Sequence, residues 1–195
     1  MPVPSSAATA QRLPSARLPG AVGIAAGVLF AAMSIWEHVA GLGPTQHTRP
    51  SLINQLGFAL ALTGYSVLAW GLARARPAAA HRGAVAFPVV LAIAWTALAT
   101  GNLLQLVTPL TPDADPLNPL GGLGQALGLA GLGVTVALGS RWTGWRRYWP
   151  LGLACVYIFA LLIPAFLGVA PTAIAETLWA LGISGLGLAL ATADR

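Results

Sequence analysis

The sequence predicts an all-α membrane bundle of six transmembrane helices in one domain, with both termini in the cytoplasm. Three observations predict it. Of 195 residues, 56% are hydrophobic and 8% charged, against about 25% charged in an ordinary soluble domain. The chain divides into six long apolar stretches separated by short polar loops. Its basic residues, all arginine, fall almost entirely in alternate loops.

A helix on the surface of a soluble core carries an apolar stripe opposite a polar face. Here the stretches are apolar all round, as segments in lipid must be. A spanning helix needs about 20 mainly apolar residues, and the candidates centre on residues 19–42, 52–73, 86–107, 120–139, 149–169 and 172–191. Residues 1–18, rich in Pro, Ser and Ala with Arg12 and Arg17, are too polar to span and are expected to form a disordered cytoplasmic tail. The apolar run from Leu18 to Trp36 exceeds the about 7 to 15 residues of a signal-peptide core and lacks a good small-x-small cleavage site, so it reads as a retained anchor. The second to fifth spans are free of charge, whereas the first contains Glu37 and the sixth Glu176.

Arginines concentrate in cytoplasmic loops. Arg12 and Arg17 precede the first helix, Arg74, Arg76 and Arg82 join the second to the third, Arg141, Arg146 and Arg147 join the fourth to the fifth, and Arg195 ends the chain. Only Arg49 falls on the opposite side, beside the loop that holds Asp113 and Asp115. The first side is therefore expected to be cytoplasmic. An all-arginine, Ala/Gly/Pro-heavy composition points to a GC-rich bacterial genome, and hence to the bacterial cytoplasmic membrane as location and the lipid bilayer as partner. Nucleic acid is set aside, because these arginines sit in short loops where the membrane accounts for them.

Each helix that re-enters from outside begins after a proline and then shows a polar side chain: Pro50 then Gln55, Pro119 then Gln125, Pro171 then Glu176. Small residues also recur at steps of three and four, which places them on one helix face. The fourth helix carries Gly121, Gly124, Gly128, Gly131 and Thr135; the second, Asn54, Gly57, Ala61, Gly64 and Leu68; the first, Gly20, Gly23, Gly27, Ala31, Ser34 and His38. Such seams let helices approach closely in lipid, within the chain, in a homo-oligomer or against a partner in a membrane complex.

The strongly polar side chains gather at the outer ends of the spans. Glu37, His38, Asn54, Asn102, Gln105, Gln125 and Glu176 lie at matching depth on five helices and are expected to line one outward-facing polar cup for a small polar or cationic ligand. Glu176 is separated from Asp194 by seventeen uncharged residues, which at about 1.5 Å each cover roughly 25 Å of a core about 30 Å thick. It thus lies near one turn inside the boundary, and Glu37 lies almost at it. Groups that shallow are read as reaching water before they are read as catalytic. Glu37, His38 and Glu176, with His47, could hold a metal or relay protons, but no metal-ligand spacing is present, so no metal or cofactor is expected. Haem is not expected either: it normally wants two axial histidines, and only His38 lies in a span while His47 and His81 sit in loops on opposite sides.

Enzyme motifs fare no better. Gly182-Ile183-Ser184-Gly185 resembles the Gly-x-Ser-Gly of rhomboid proteases, whose serine precedes a histidine on a later helix, but no histidine follows His81. Ser184 is read as a packing residue, since a serine without a base is a poor nucleophile. Asp113 and Asp115, among prolines, are read as a solvated turn. The single cysteine, Cys155, cannot form an internal disulfide or a Cys-x-x-Cys pair and is read as a buried apolar residue. Trp142, Trp145, Arg146, Arg147 and Trp149 form a basic-aromatic cluster suited to the headgroup zone and are expected to anchor the chain in lipid. With Pro171, Glu176 and Trp179 opening the last helix, the layout resembles that of small uncharacterised six-helix bacterial membrane proteins, a likeness that implies no activity. The expected function is small-ligand or ion binding or transport; a structural or accessory subunit of a membrane complex is the alternative, and an intramembrane enzyme ranks last.

Overall fold

The computed structural model describes residues 16–42, 48–77, 82–108, 115–139 and 141–193. They form α1 (Arg17–Ala40), α2 (Arg49–Ala75), α3 (Ala86–Val107), α4 (Leu117–Gly139), α5 (Trp145–Phe166) and α6 (Ala173–Ala191), with no strand among the described residues. All six helices are long and apolar enough to cross a membrane. Large apolar side chains such as Ile35, Leu60, Ile93, Leu127, Phe159 and Leu181 stay exposed on every one of them. Soluble monomers rarely expose contiguous apolar patches beyond a few hundred Å², and a girdle on every helix is the surface of a multi-pass membrane protein.

Four helices, α1, α2, α4 and α5, begin two to four residues earlier than hydropathy suggests, for local reasons. α1 starts at Arg17, so Arg17 and Leu18 of the expected tail are helical, and residues 1–15 lie outside the described part. Pro19 is tolerated because the first-turn N–H groups have no partner inside a helix. Thr48 caps α2, its hydroxyl accepting from Ser51 N–H at 3.4 Å with Pro50 in the first turn. Thr172 does the same for α6 through Ala175 N–H at 3.2 Å. At the start of α4 the carboxylate of Asp115 accepts from Leu117 N–H at 2.9 Å. Side-chain caps of this kind contribute about 1 kcal/mol each.

α5 starts at Trp145, four residues before the expected span, because its arginines fold back onto helix ends. Arg146 donates to Thr192 O at 2.9 Å and Arg147 to Ala137 O at 2.7 Å. These carbonyls close α6 and α4, where cations are favoured. Further along, α5 widens into a π-helical stretch, Ile158–Leu162, just before Pro164. Proline cannot donate to the ladder and crowds the carbonyl four residues back, and a π turn relieves that conflict.

Each helix packs on the next in sequence and α6 packs on α1, so the six close into a ring whose least extensive seam lies between α5 and α6. The start of α1 lies beside the end of α6: a Cβ added at Gly20 would stand 2.6 Å from Gly187 O. Both described chain ends therefore lie at one end of the bundle. The small-residue seams are contacts within the chain. Gly121, Gly124 and Gly128 meet Leu98, Ala94 and Leu91 of α3; Gly57 and Gly64 meet Met33 and Ala26 of α1; Gly20 and Gly27 meet Gly187 and Ala180 of α6. Ser184, the serine of the rhomboid-like segment, donates to Ile24 O at 3.1 Å and so ties α6 to α1.

Two readings of single residues are corrected. Cys155 is exposed, not buried. Asp115 is no solvated turn: it is 3% exposed, buried between its capped helix and Gly101 of α3. Asp113 lies outside the described residues. In the basic-aromatic cluster, Trp145 and Trp149 are exposed and meet edge to face with centroids 5.4 Å apart, whereas Trp142 is 5% exposed and packs into the core.

Candidate functional site

The half of the ring near the chain ends is filled. Leu72, Leu132, Val136, Leu186 and Leu190 are fully buried there, below the aromatic level of Tyr65 and Trp95. Above that level the interior opens into a cavity of about 980 Å³ lined by residues of all six helices. The difference follows from side-chain chemistry. Branched apolar residues of facing helices interlock, whereas carboxylates and amides at the same radius must keep their polar atoms hydrogen-bonded or hydrated and so hold the helices' inner faces apart.

Of the seven residues expected to share a polar site, six line this cavity: Glu37 from α1, Asn54 from α2, Asn102 and Gln105 from α3, Gln125 from α4 and Glu176 from α6. His38 does not. Its side chain is exposed, with Nδ1 2.9 Å from Ser34 O and Nε2 3.4 Å from Pro171 O. It lies one residue on from Glu37, hence about 100° further round the helix, and ties α1 to the segment that precedes α6.

Two polar clusters organise the lining. In the first, the Ser34 hydroxyl donates a short hydrogen bond to Glu176 Oε2, and Asn54 Nδ2 donates to Glu37 Oε2 at 3.1 Å. Ser34 and Glu37 are one turn apart on α1, so the two carboxylates stand on neighbouring levels where α1, α2 and α6 meet. The remaining oxygen of Asn54, Oδ1, has no hydrogen-bond partner among the described residues, although Asn54 is only 3% exposed. In the second cluster Gln125 Oε1 accepts from the buried Trp95 Nε1 at 2.5 Å, which pins α3 to α4 at the cavity floor. Beside it Tyr157 donates to Gly122 O at 3.1 Å and Asn102 to Leu98 O at 2.9 Å.

Several lining residues were not picked out from sequence. Asp115 carries a readable signal, since Asp115-Pro116 immediately before an apolar run is a helix start with proline at the first position. Gln55 was visible only as part of the proline-then-polar pattern, and all three polar members of that pattern, Gln55, Gln125 and Glu176, line the cavity. Phe30 and Tyr157 gave no signal, being ordinary residues of an apolar helix; Trp179 was visible only in the layout of the last helix, and Ser34, which donates to Glu176, only as a member of the α1 seam. No family model, curated protein or solved structure matches this chain. The site is therefore read from its own chemistry. Among the described residues no three His, Cys, Asp or Glu side chains are grouped to hold a metal ion.

The charge of the lining has one sign. Three of the chain's five acidic residues, Glu37, Asp115 and Glu176, face the cavity, and among the described residues no arginine does. Partly enclosed by low-dielectric walls, such charges act over longer distances than in water.

Proposed function

We propose that this chain is a binding or transport protein of the bacterial cytoplasmic membrane that holds a small polar or cationic ligand in its cavity, with the cavity open to the outer face and both termini in the cytoplasm. The observation that carries this reading is the gathering of six polar side chains from five helices around one cavity of about 980 Å³. That volume is at the upper end of the roughly 300 to 1,000 Å³ typical of small-molecule sites. The orientation is supported by the arginines, which favour the cytoplasmic end: Arg17, Arg74, Arg146 and Arg147 lie at the end of the bundle opposite the cavity. The accessory-subunit reading draws less support, because Gly124 and Gly128 meet Ala94 and Leu91 of the same chain rather than an open surface.

Single cysteines introduced in a Cys155→Ala background test both parts of the reading in intact cells. With a membrane-impermeant maleimide, cysteines at Asp113 and at Asn102 should react and one at Arg82 should not. Reaction at Arg82 alone would invert the orientation. Reaction at Asp113 with none at Asn102 would mean that the cavity is closed to outside water, against the proposal.

A further inference from the structure

Resting on the reading of the cavity as a ligand site, we infer that its ligand is an amine bound in protonated form, a primary or secondary ammonium that carries an apolar body. The polar wall formed by α1, α2 and α6 offers more acceptor positions than donors, although Trp179 Nε1 on α6 is a lining donor with no partner among the described residues. Each carboxylate offers about four lone-pair positions, yet the contacts give Glu37 one donor from Asn54 and Glu176 one from Ser34. Asn54 Oδ1 adds a buried acceptor with no partner among the described residues. Like charges on neighbouring levels are costly unless a cation or a shared proton lies near them. An ammonium supplies a positive charge to offset the two carboxylates and N–H donors for their unfilled acceptor positions.

The layer beneath decides between an organic and an inorganic cation. Phe30 lies one turn before Ser34, Phe58 one turn after Asn54 and Trp179 three residues after Glu176, and all three line the cavity. Phe30 stands 4.7 Å from Phe58 and 5.1 Å from Trp179, centroid to centroid, so the rings form one aromatic platform directly under the acceptors. Rings are poor company for a hydrated metal ion. They attract organic cations through their negative faces and take up apolar groups. On the far side α5 presents Leu161, Leu162, Ala165 and Phe166, an apolar wall for the remainder of the molecule.

The test uses the full chain in nanodiscs and equilibrium dialysis of four probes of similar size, with empty nanodiscs as the reference for partitioning. These are 2-phenylethylammonium, its N-trimethyl derivative, 2-phenylethanol and 3-phenylpropionate. The expected result is that 2-phenylethylammonium binds at least tenfold more tightly than the other three. Glu37→Gln and Glu176→Gln should each weaken it at least tenfold while thermal unfolding shows that both variants remain folded. Equal or tighter binding of the alcohol or the anion overturns the ammonium inference and leaves a binding cavity of different specificity. Equal binding of the trimethyl cation overturns the donor requirement and so the inference as stated, as does unchanged affinity in both glutamine variants. No binding of any probe also overturns it. The reactivity of a cysteine at Asn102 then separates an open cavity with another ligand from the failure of the cavity reading itself.

Discussion

Gly187→Leu is expected to cost the detergent-solubilised protein about 3 kcal/mol, the upper part of the range for overpacking. A Cβ at Gly187 would stand 2.6 Å from Gly20 O and 2.8 Å from Ile24 N. Both are backbone atoms of α1, so no rotamer change can make room and the helices themselves must part. This contact closes the ring, and α6 also carries Glu176 and Trp179 into the cavity. Gly152→Leu is the matched control: Gly152 is exposed on α5 with nothing within 4 Å of an added Cβ, and a substitution at such a site should stay within about 0.5 kcal/mol. Equal unfolding midpoints for the two variants would show that α1 and α6 do not pack as described.

Gln125→Leu is expected to destabilise by about 1 to 3 kcal/mol, the cost of leaving a buried donor without an acceptor. Trp95 is fully buried and donates to Gln125 Oε1, which is itself 2% exposed. Leucine fills comparable space, so the loss isolates the hydrogen bond. Trp95→Phe removes the donor, and the double variant should therefore cost less than the sum of the single changes. A simple sum in unfolding measurements would mean that the indole and the amide do not meet.

The sequence made the number and type of the elements legible because lipid imposes a constraint that composition expresses directly: charge-free stretches of spanning length have few alternatives. It also made the position of the polar residues along their helices legible, since position along an α-helix follows from sequence at a known rise per residue. Helix starts were less so. Thr48, Asp115 and Thr172 extend or fix helices through side-chain oxygens, and Arg146 and Arg147 look like loop residues until they are seen to cap α6 and α4. Hydropathy averages over such single hydrogen bonds. Rotation about the helix axis was harder still. His38 shares depth with Glu37 but lies one residue round the helix, and only the packing of α1 on α2 and α6 determines which of the two faces the interior. The aromatic platform was invisible for the same reason, because Phe30, Phe58 and Trp179 are unremarkable members of apolar helices until the ring brings them together.

A double-mutant cycle on Glu37 and Glu176 measures whether residues far apart in sequence share one polar site. The two carboxylates belong to the first and last helices: Glu176 accepts from Ser34, one turn from Glu37 on α1, and Glu37 accepts from Asn54. Unfolding of the wild type, Glu37→Gln, Glu176→Gln and the double variant in detergent should give a coupling of about 0.5 to 3 kcal/mol, because neutralising either group relieves the charge that the other opposes. Strictly additive effects would contradict a shared site and leave two separate interfacial residues on a packed bundle.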